Sequence, residues 1–129
     1  MNKDYKISGL TKILSYLFPQ RLAIAEGHGG AHLEVVLNNG KLMLNANQSN
    51  YSFGGLHLIF EQLFDQIQIG KYDIKKVLLL GLGAGSVVDL LVNKHGLKCA
   101  ITGVELDATV IDLAKKYFDI LVLRYPLYF

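Results

Sequence analysis

The stretch KVLLLGLGAGSVVDLLVNKHGLKCAITGVE, residues 76–105, decides how the rest of the chain is read. Val77, Leu78, Leu79 and Leu80 are apolar in succession, without the alternation of a half-wet strand. That predicts a strand buried on both faces, as in a parallel sheet. Gly81 allows a sharp exit from the strand. Gly83 and Gly85 lack a Cβ, so a ligand and the next helix can come close to the main chain. Residues 86–95 carry Val87, Val88, Leu91 and Val92 at helical spacing, and Gly96 stands where a left-handed cap ends a helix. A second strand closes on Gly103, Val104 and Glu105, and Glu105 follows Gly85 by 20 positions. Doubly wound folds put there an acid that accepts hydrogen bonds from a ribose. The order strand, glycine turn, helix, strand, acid predicts an α/β fold of the Rossmann type.

The glycine spacing narrows the ligand. A dinucleotide turn wants Gly or Ala where this chain has Ser86, and the pattern here is Gly-x-Gly-x-Gly. With Val104, Glu105, Leu106 and Asp107 downstream, it resembles the Rossmann-like S-adenosylmethionine methyltransferases. Within that superfamily it is most similar to the spermidine synthases and their uncharacterised relatives. The resemblance implies a site for S-adenosylmethionine or its decarboxylated form at Gly81, Leu82, Gly83, Ala84 and Gly85. It sets Glu105 on the ribose, with Leu106 and Asp107 at the nucleoside end. The implied reaction is group transfer from the sulfonium carbon to a nucleophile, resting mainly on orientation and proximity. No residue is assigned as general base, and a polar helix face explains Asp89. For the same residues, a βαβ unit whose glycines serve only tight packing is the alternative. A dinucleotide-binding half domain is disfavoured by Ser86 and by the β-structure upstream.

Composition bounds the rest. The chain has 129 residues, 51% hydrophobic and 19% charged, enough for one domain with a core. Its net charge of +2 and scattered Lys and Arg argue against nucleic acid as a partner. Cys99 is the single cysteine, so no internal disulfide forms, and a small buried apolar role suits it. Met1, Asn2, Lys3 and Asp4 lead into no signal-peptide pattern, and no apolar run approaches the roughly 18 residues of a membrane span. A soluble cytoplasmic protein is expected.

Residues 8–18 read as a short amphipathic helix capped by Ser8, with Leu10, Ile13, Leu14 and Leu17 on one face and Pro19 as its stop. That face is expected to pack on its own fold or on a second subunit. Antiparallel strands follow at 21–26, 32–37 and 41–45, the last two joined by a hairpin turn at Asn38, Asn39 and Gly40. His28 and His32 flank Gly29, Gly30 and Ala31, a loop rather than a helical metal grip. Residues 47–55 read as a polar connection. In the resembled family a Gln near the nucleoside stands here, followed by an acidic stretch that holds the polyamine. Gln48 matches the Gln, although local backbone bonding explains it equally well. The acidic stretch is unmatched, since Asn50, Tyr51, Ser52 and Phe53 occupy its neighbourhood, which argues against polyamine binding. Residues 54–66 form a helix with an apolar stripe of Leu56, Ile59, Phe60, Leu63, Phe64 and Ile67, leaving His57, Glu61, Gln62 and Gln66 outside it. After Glu105, Asp107 caps a helix over 109–118. Ile120, Leu121, Val122 and Leu123 read as a third strand, and 124–129 as an aromatic tail in which Pro126 bars a continuing central strand.

The expected organisation is a helix and small antiparallel β-sheet over 1–53, then a truncated Rossmann-like parallel sheet over 54–129. The resemblance covers the family's N-terminal half, so a partial, weakly binding site and incomplete catalysis are expected, with an unidentified small-molecule acceptor. With the parallel strands ordered 3-2-1, the strand 77–80 has an unpaired edge, and a homodimer or a strand exchange is expected to cover it and the open faces of the helices. A non-catalytic dimeric interaction protein that kept half a Rossmann fold is the alternative.

Overall fold

A computed structural model describes residues 6–47 and 49–118 and the backbone of Leu127–Tyr128. Two sheets are built around one core. The first is antiparallel, in the order β1 (Gln20–Glu26), β2 (His32–Asn38), β3 (Lys41–Ala46), β4 (Ser49–Ser52). The second is parallel, in the order β5 (Lys76–Leu80), β6 (Ala100–Val104), β7 (Leu127–Tyr128). The helices are α1 (Gly9–Leu14), α2 (Gly54–Gln66), α3 (Ser86–Asp89), which runs on into a π turn at Leu90–Lys94, and α4 (Ala108–Tyr117). The expected α/β class and its two-sheet organisation are therefore present. Leu33, Val35 and Leu44 of the first sheet share a core with Ala84, Val88, Leu91, Ile101, Val110 and Ala114 of the second region.

The hairpin turn has its expected chemistry: Asn39 and Gly40 both adopt positive φ, 48° and 73°, which matches the twist of the flanking strands. Ser8 caps α1 by accepting from the Thr11 amide at 3.0 Å, and Asp107 caps α4 by accepting from the Thr109 amide at 2.9 Å.

Several expectations are corrected. The run at 77–80 is not buried on both faces: Val77 and Leu79 pack on the core, while Leu78 and Leu80 are 62% and 77% exposed. Four apolar residues in succession suit cover on both sides, but among the described residues only one side of β5 is covered. The face of α2 is also different. No residue of α2 is fully buried, and its inward positions are His57, Phe60, Glu61 and Phe64, themselves at helical spacing. Phe60 and Phe64 belong to both stripes, and polar contacts of His57 and Glu61 decide between them. His57 Nδ1 lies 2.8 Å from Ser86 Oγ, and Lys94 Nζ donates to Glu61 at 2.9 Å and to Asp65 at 2.6 Å. Ile59 and Leu63 of the expected stripe point to solvent.

The helix over 8–18 shortens to α1, and Leu10, Ile13 and Leu17 stand exposed rather than packed on their own fold. Residues 49–52, read as a connection, pair as β4 with β3. The expected strand at 120–123 lies outside the described residues. β6 instead pairs with Leu127–Tyr128, in the stretch read as a tail. Among the described residues, no helix is long and apolar enough to cross a membrane, and no cluster of metal-binding side chains occurs.

Candidate functional site

The glycine turn is held at the carboxyl ends of β5 and β6 by five consecutive backbone donors. The amides of Gly81 and Leu82 both donate to the Val104 carbonyl at 2.9 Å. The Gly83 amide donates to Glu105 Oε2 at 2.7 Å, the Ala84 amide to Ser52 Oγ at 3.1 Å, and the Gly85 amide to the Leu82 carbonyl at 3.1 Å. Gly81 and Gly85 have φ of 82° and 89°, a region that L side chains seldom adopt. Leu82 folds over Gly103, where an added Cβ would lie 2.9 Å from Leu82 Cδ1.

Glu105 points into this turn. Its carboxylate is buried, 4% exposed, and takes four donors. Besides Gly83, the amides of Leu106 and Asp107 reach Oε1 at 2.9 and 3.2 Å, and the Tyr51 hydroxyl reaches it at 3.4 Å. Burial first, then the nearby Glu105 charge and its hydrogen bond, push the Tyr51 phenol above its ordinary pKa. Two residues on, Asp107 Oδ2 accepts from the His28 amide at 2.7 Å, and Thr109 Oγ1 donates to the Glu26 carbonyl at 3.3 Å. The strand end that faces the turn thus also anchors the N-terminal sheet.

The expected site residues separate into groups. Gly81, Leu82 and Gly83 line a cleft of about 540 Å³ between β5 and α2, with Tyr51, Ser52 and Ser86. Ala84 and Gly85 are buried, and Leu106 is 80% exposed. Gln48 lies outside the described residues. Asp89 faces a second cleft of about 500 Å³ with Phe53, His57 and Phe118, and accepts from Asn93 Nδ2 at 2.7 Å. A polar helix position accounts for it.

The chain matches solved structures by shape rather than by sequence. A spermidine synthase from Thermotoga maritima superposes with a TM-score of 0.63 at 16% identity, over 84% of this chain and 39% of that one. A spermidine synthase in complex with the transition state analogue AdoDATO gives 0.62 at 16% identity, over 84% and 40%. A probable spermidine synthase from Corynebacterium glutamicum ATCC 13032 gives 0.55 at 17% identity, over 74% and 39%. The fold is that of the spermidine synthases. This chain spans about two fifths of the length of those proteins. No protein-family model matches the chain, and no curated protein matches it.

Within this spermidine synthase fold, sequence reasoning missed Tyr51 and Ser52 on β4 and the His57–Ser86 pair. β4 carried no periodic signal: Ser49, Asn50 and Tyr51 are exposed and only Ser52 is buried, although Tyr51 and Ser52 both line the cleft. For His57 the signal lay in the second helical stripe, which only the contacts of α3 distinguish from the first.

Proposed function

We propose that this chain is a spermidine synthase-like, methyltransferase-like protein whose glycine turn and Glu105 hold the adenosyl part of S-adenosylmethionine or its decarboxylated form. The observation that carries this reading is the Glu105 carboxylate, buried under the turn and bonded to the Gly83 amide. A sugar diol recognised there meets a fixed acceptor, and the exposed Leu106 offers an apolar edge for a base. The state of the turn amides favours a sulfonium nucleoside over a dinucleotide. A pyrophosphate loop keeps such amides for phosphate oxygens, whereas all five from 81 to 85 are engaged inside the chain. Among the described residues the cleft is open along β5, so it encloses a ligand on one side only and weak binding is expected. No residue of this chain is assigned as a general base.

Thermal-shift and calorimetric titration with S-adenosylmethionine, its decarboxylated form, methylthioadenosine and NAD tests the reading. Stabilisation by the adenosyl sulfur compounds and none by NAD supports it. No shift from any of them at millimolar concentration overturns it, and sub-micromolar affinity would contradict the partial site.

A homodimer belongs to the same proposal. Among the described residues β5 ends its sheet, and Leu78 and Leu80, with Ile59 and Leu63 of α2, present apolar surface. A second copy covering that edge satisfies its backbone and buries those side chains.

A further inference from the structure

We infer that Tyr51 is the gate of the ribose site: its hydroxyl occupies the acceptor position on Glu105 that a ribose hydroxyl needs, and it yields that position when an adenosyl ligand enters. The inference rests on the adenosyl reading of the site and adds the residue that controls entry. A carboxylate offers about four acceptor positions on its two oxygens. On Glu105 they are taken unevenly: Oε2 receives the Gly83 amide alone, while Oε1 receives three donors, the amides of Leu106 and Asp107 and the Tyr51 hydroxyl. A ribose diol that meets both oxygens finds room on Oε2 but none on Oε1, so one of the three Oε1 donors must leave.

Geometry picks out which. The three amides belong to the turn and to the strand end that it rests on, and moving any of them moves the backbone. Tyr51 is a side chain on a four-residue strand, 38% exposed, and its contact with Glu105 is the longest of the four at 3.4 Å. An O–H···O bond to a carboxylate is near its best at about 2.6 Å, so this contact is the weakest held. Its ring lines the cleft, while Glu105 itself is almost wholly covered. The route from the cleft to the carboxylate therefore runs past the Tyr51 hydroxyl. Rotating the phenol into the cleft frees one acceptor without disturbing the turn.

The test is calorimetry on the intact chain and its Tyr51→Phe variant. The probes are methylthioadenosine and its 2′,3′-dideoxy counterpart, which lacks both ribose hydroxyls. Removing the competing hydroxyl is expected to tighten methylthioadenosine binding about fivefold, the worth of one long, weak hydrogen bond no longer displaced. The dideoxy compound is expected to bind both chains alike. Equal or weaker binding of methylthioadenosine by Tyr51→Phe, with the parent chain binding it, overturns the gate alone. So does an equal gain for the dideoxy compound, because the effect then bypasses the ribose. Absence of binding by either chain overturns the adenosyl reading and the gate together. Tyr51→Leu replaces the Phe variant if thermal melting shows that the latter has lost its fold.

Discussion

Replacing Glu105 by Gln tests the arrangement on which the site depends. The change keeps shape and volume but turns one carboxylate oxygen into an N–H donor. If the remaining oxygen takes the Oε1 position, the Leu106, Asp107 and Tyr51 donors keep an acceptor, now neutral. The new amide group then faces the Gly83 N–H, which loses its acceptor at 2.7 Å. A hydrogen bond to a charged group is worth about 1.5–3 kcal/mol, and a stranded buried donor costs about 1–3 kcal/mol. The opposite rotamer is worse, because it leaves two amides facing N–H. One effect runs the other way: no Lys or Arg pairs with Glu105 among the described residues, so neutralising the group recovers part of its burial cost. The stranded donor and the lost charge-assisted bond outweigh that recovery, and the expected net loss is about 2–3 kcal/mol. That is a large share of the roughly 5–15 kcal/mol of an ordinary domain. Urea unfolding followed by far-UV circular dichroism measures it, with an unchanged slope marking an unchanged unfolding reaction. Amide exchange at Gly83 should speed up selectively. A loss below about 0.5 kcal/mol, the scatter of surface substitutions, with Gly83 exchange unaltered, would mean that the carboxylate does not hold the turn.

Four further outcomes are expected. Gly27→Ala drives its new Cβ into Asp107 Oδ2 and to within 2.9 Å of Leu33 Cδ1. It should cost about 1–3 kcal/mol in urea unfolding, and an Asp107→Ala background should relieve only part of that, because Leu33 still meets the new Cβ. Asp107→Ala alone removes the cap of α4 and the acceptor for His28, and should cost about 2 kcal/mol or more, with Asp107→Asn in between. Leu80→Lys places a charge on the exposed edge of β5 and should lower the mass seen by light scattering from dimer to monomer. A parent chain that is already monomeric across micromolar concentrations refutes the dimer. Lys94 holds the Glu61 carboxyl below its ordinary pKa, chiefly through their hydrogen bond, against a smaller opposing effect of burial. A lowered folded-state pKa gives stability that is present above the usual glutamate range and lost as pH falls through the folded value. Lys94→Met should therefore lie below the parent in stability at pH 7 and converge on it in acid, as followed by thermal melting from pH 7 to pH 3.

What the sequence made legible is local and periodic. The turn at Asn39 and Gly40, the cap at Asp107 and the strand–turn–helix from Lys76 onward are set by residues that only a few backbone conformations accept. The placement of Glu105 under the turn follows from the same register, since β5 and β6 pair in parallel with Leu80 opposite Val104. Illegible were choices between two surfaces of equal period. The apolar stripe of α2 was the stronger pattern, yet His57 and Glu61 turn inward because Ser86 and Lys94, some thirty residues away, supply their partners. The same held for β5, where apolar composition does not say which neighbours are present. The place of Tyr51 beside the turn was illegible because it depends on a contact with Glu105 across 54 positions.

The stretch at Glu105, Leu106 and Asp107 ties these parts into one physical unit. Glu105 fastens the glycine turn, and Asp107 fastens the loop at His28, so three residues join both sheets. β4 closes the circuit from the other side: the Ser52 hydroxyl accepts from the Ala84 amide, and Tyr51 reaches Glu105. The N-terminal sheet is thus fastened to the turn twice, once through each end of its strand order, since β1 leads into His28 and β4 carries Tyr51 and Ser52. A ligand that displaces Tyr51 loosens one fastening and leaves the Asp107 contact and the Ser52 bond in place. If Tyr51 gates a ribose as proposed, opening is a local motion of one side chain on β4 and requires no separation of the two sheets.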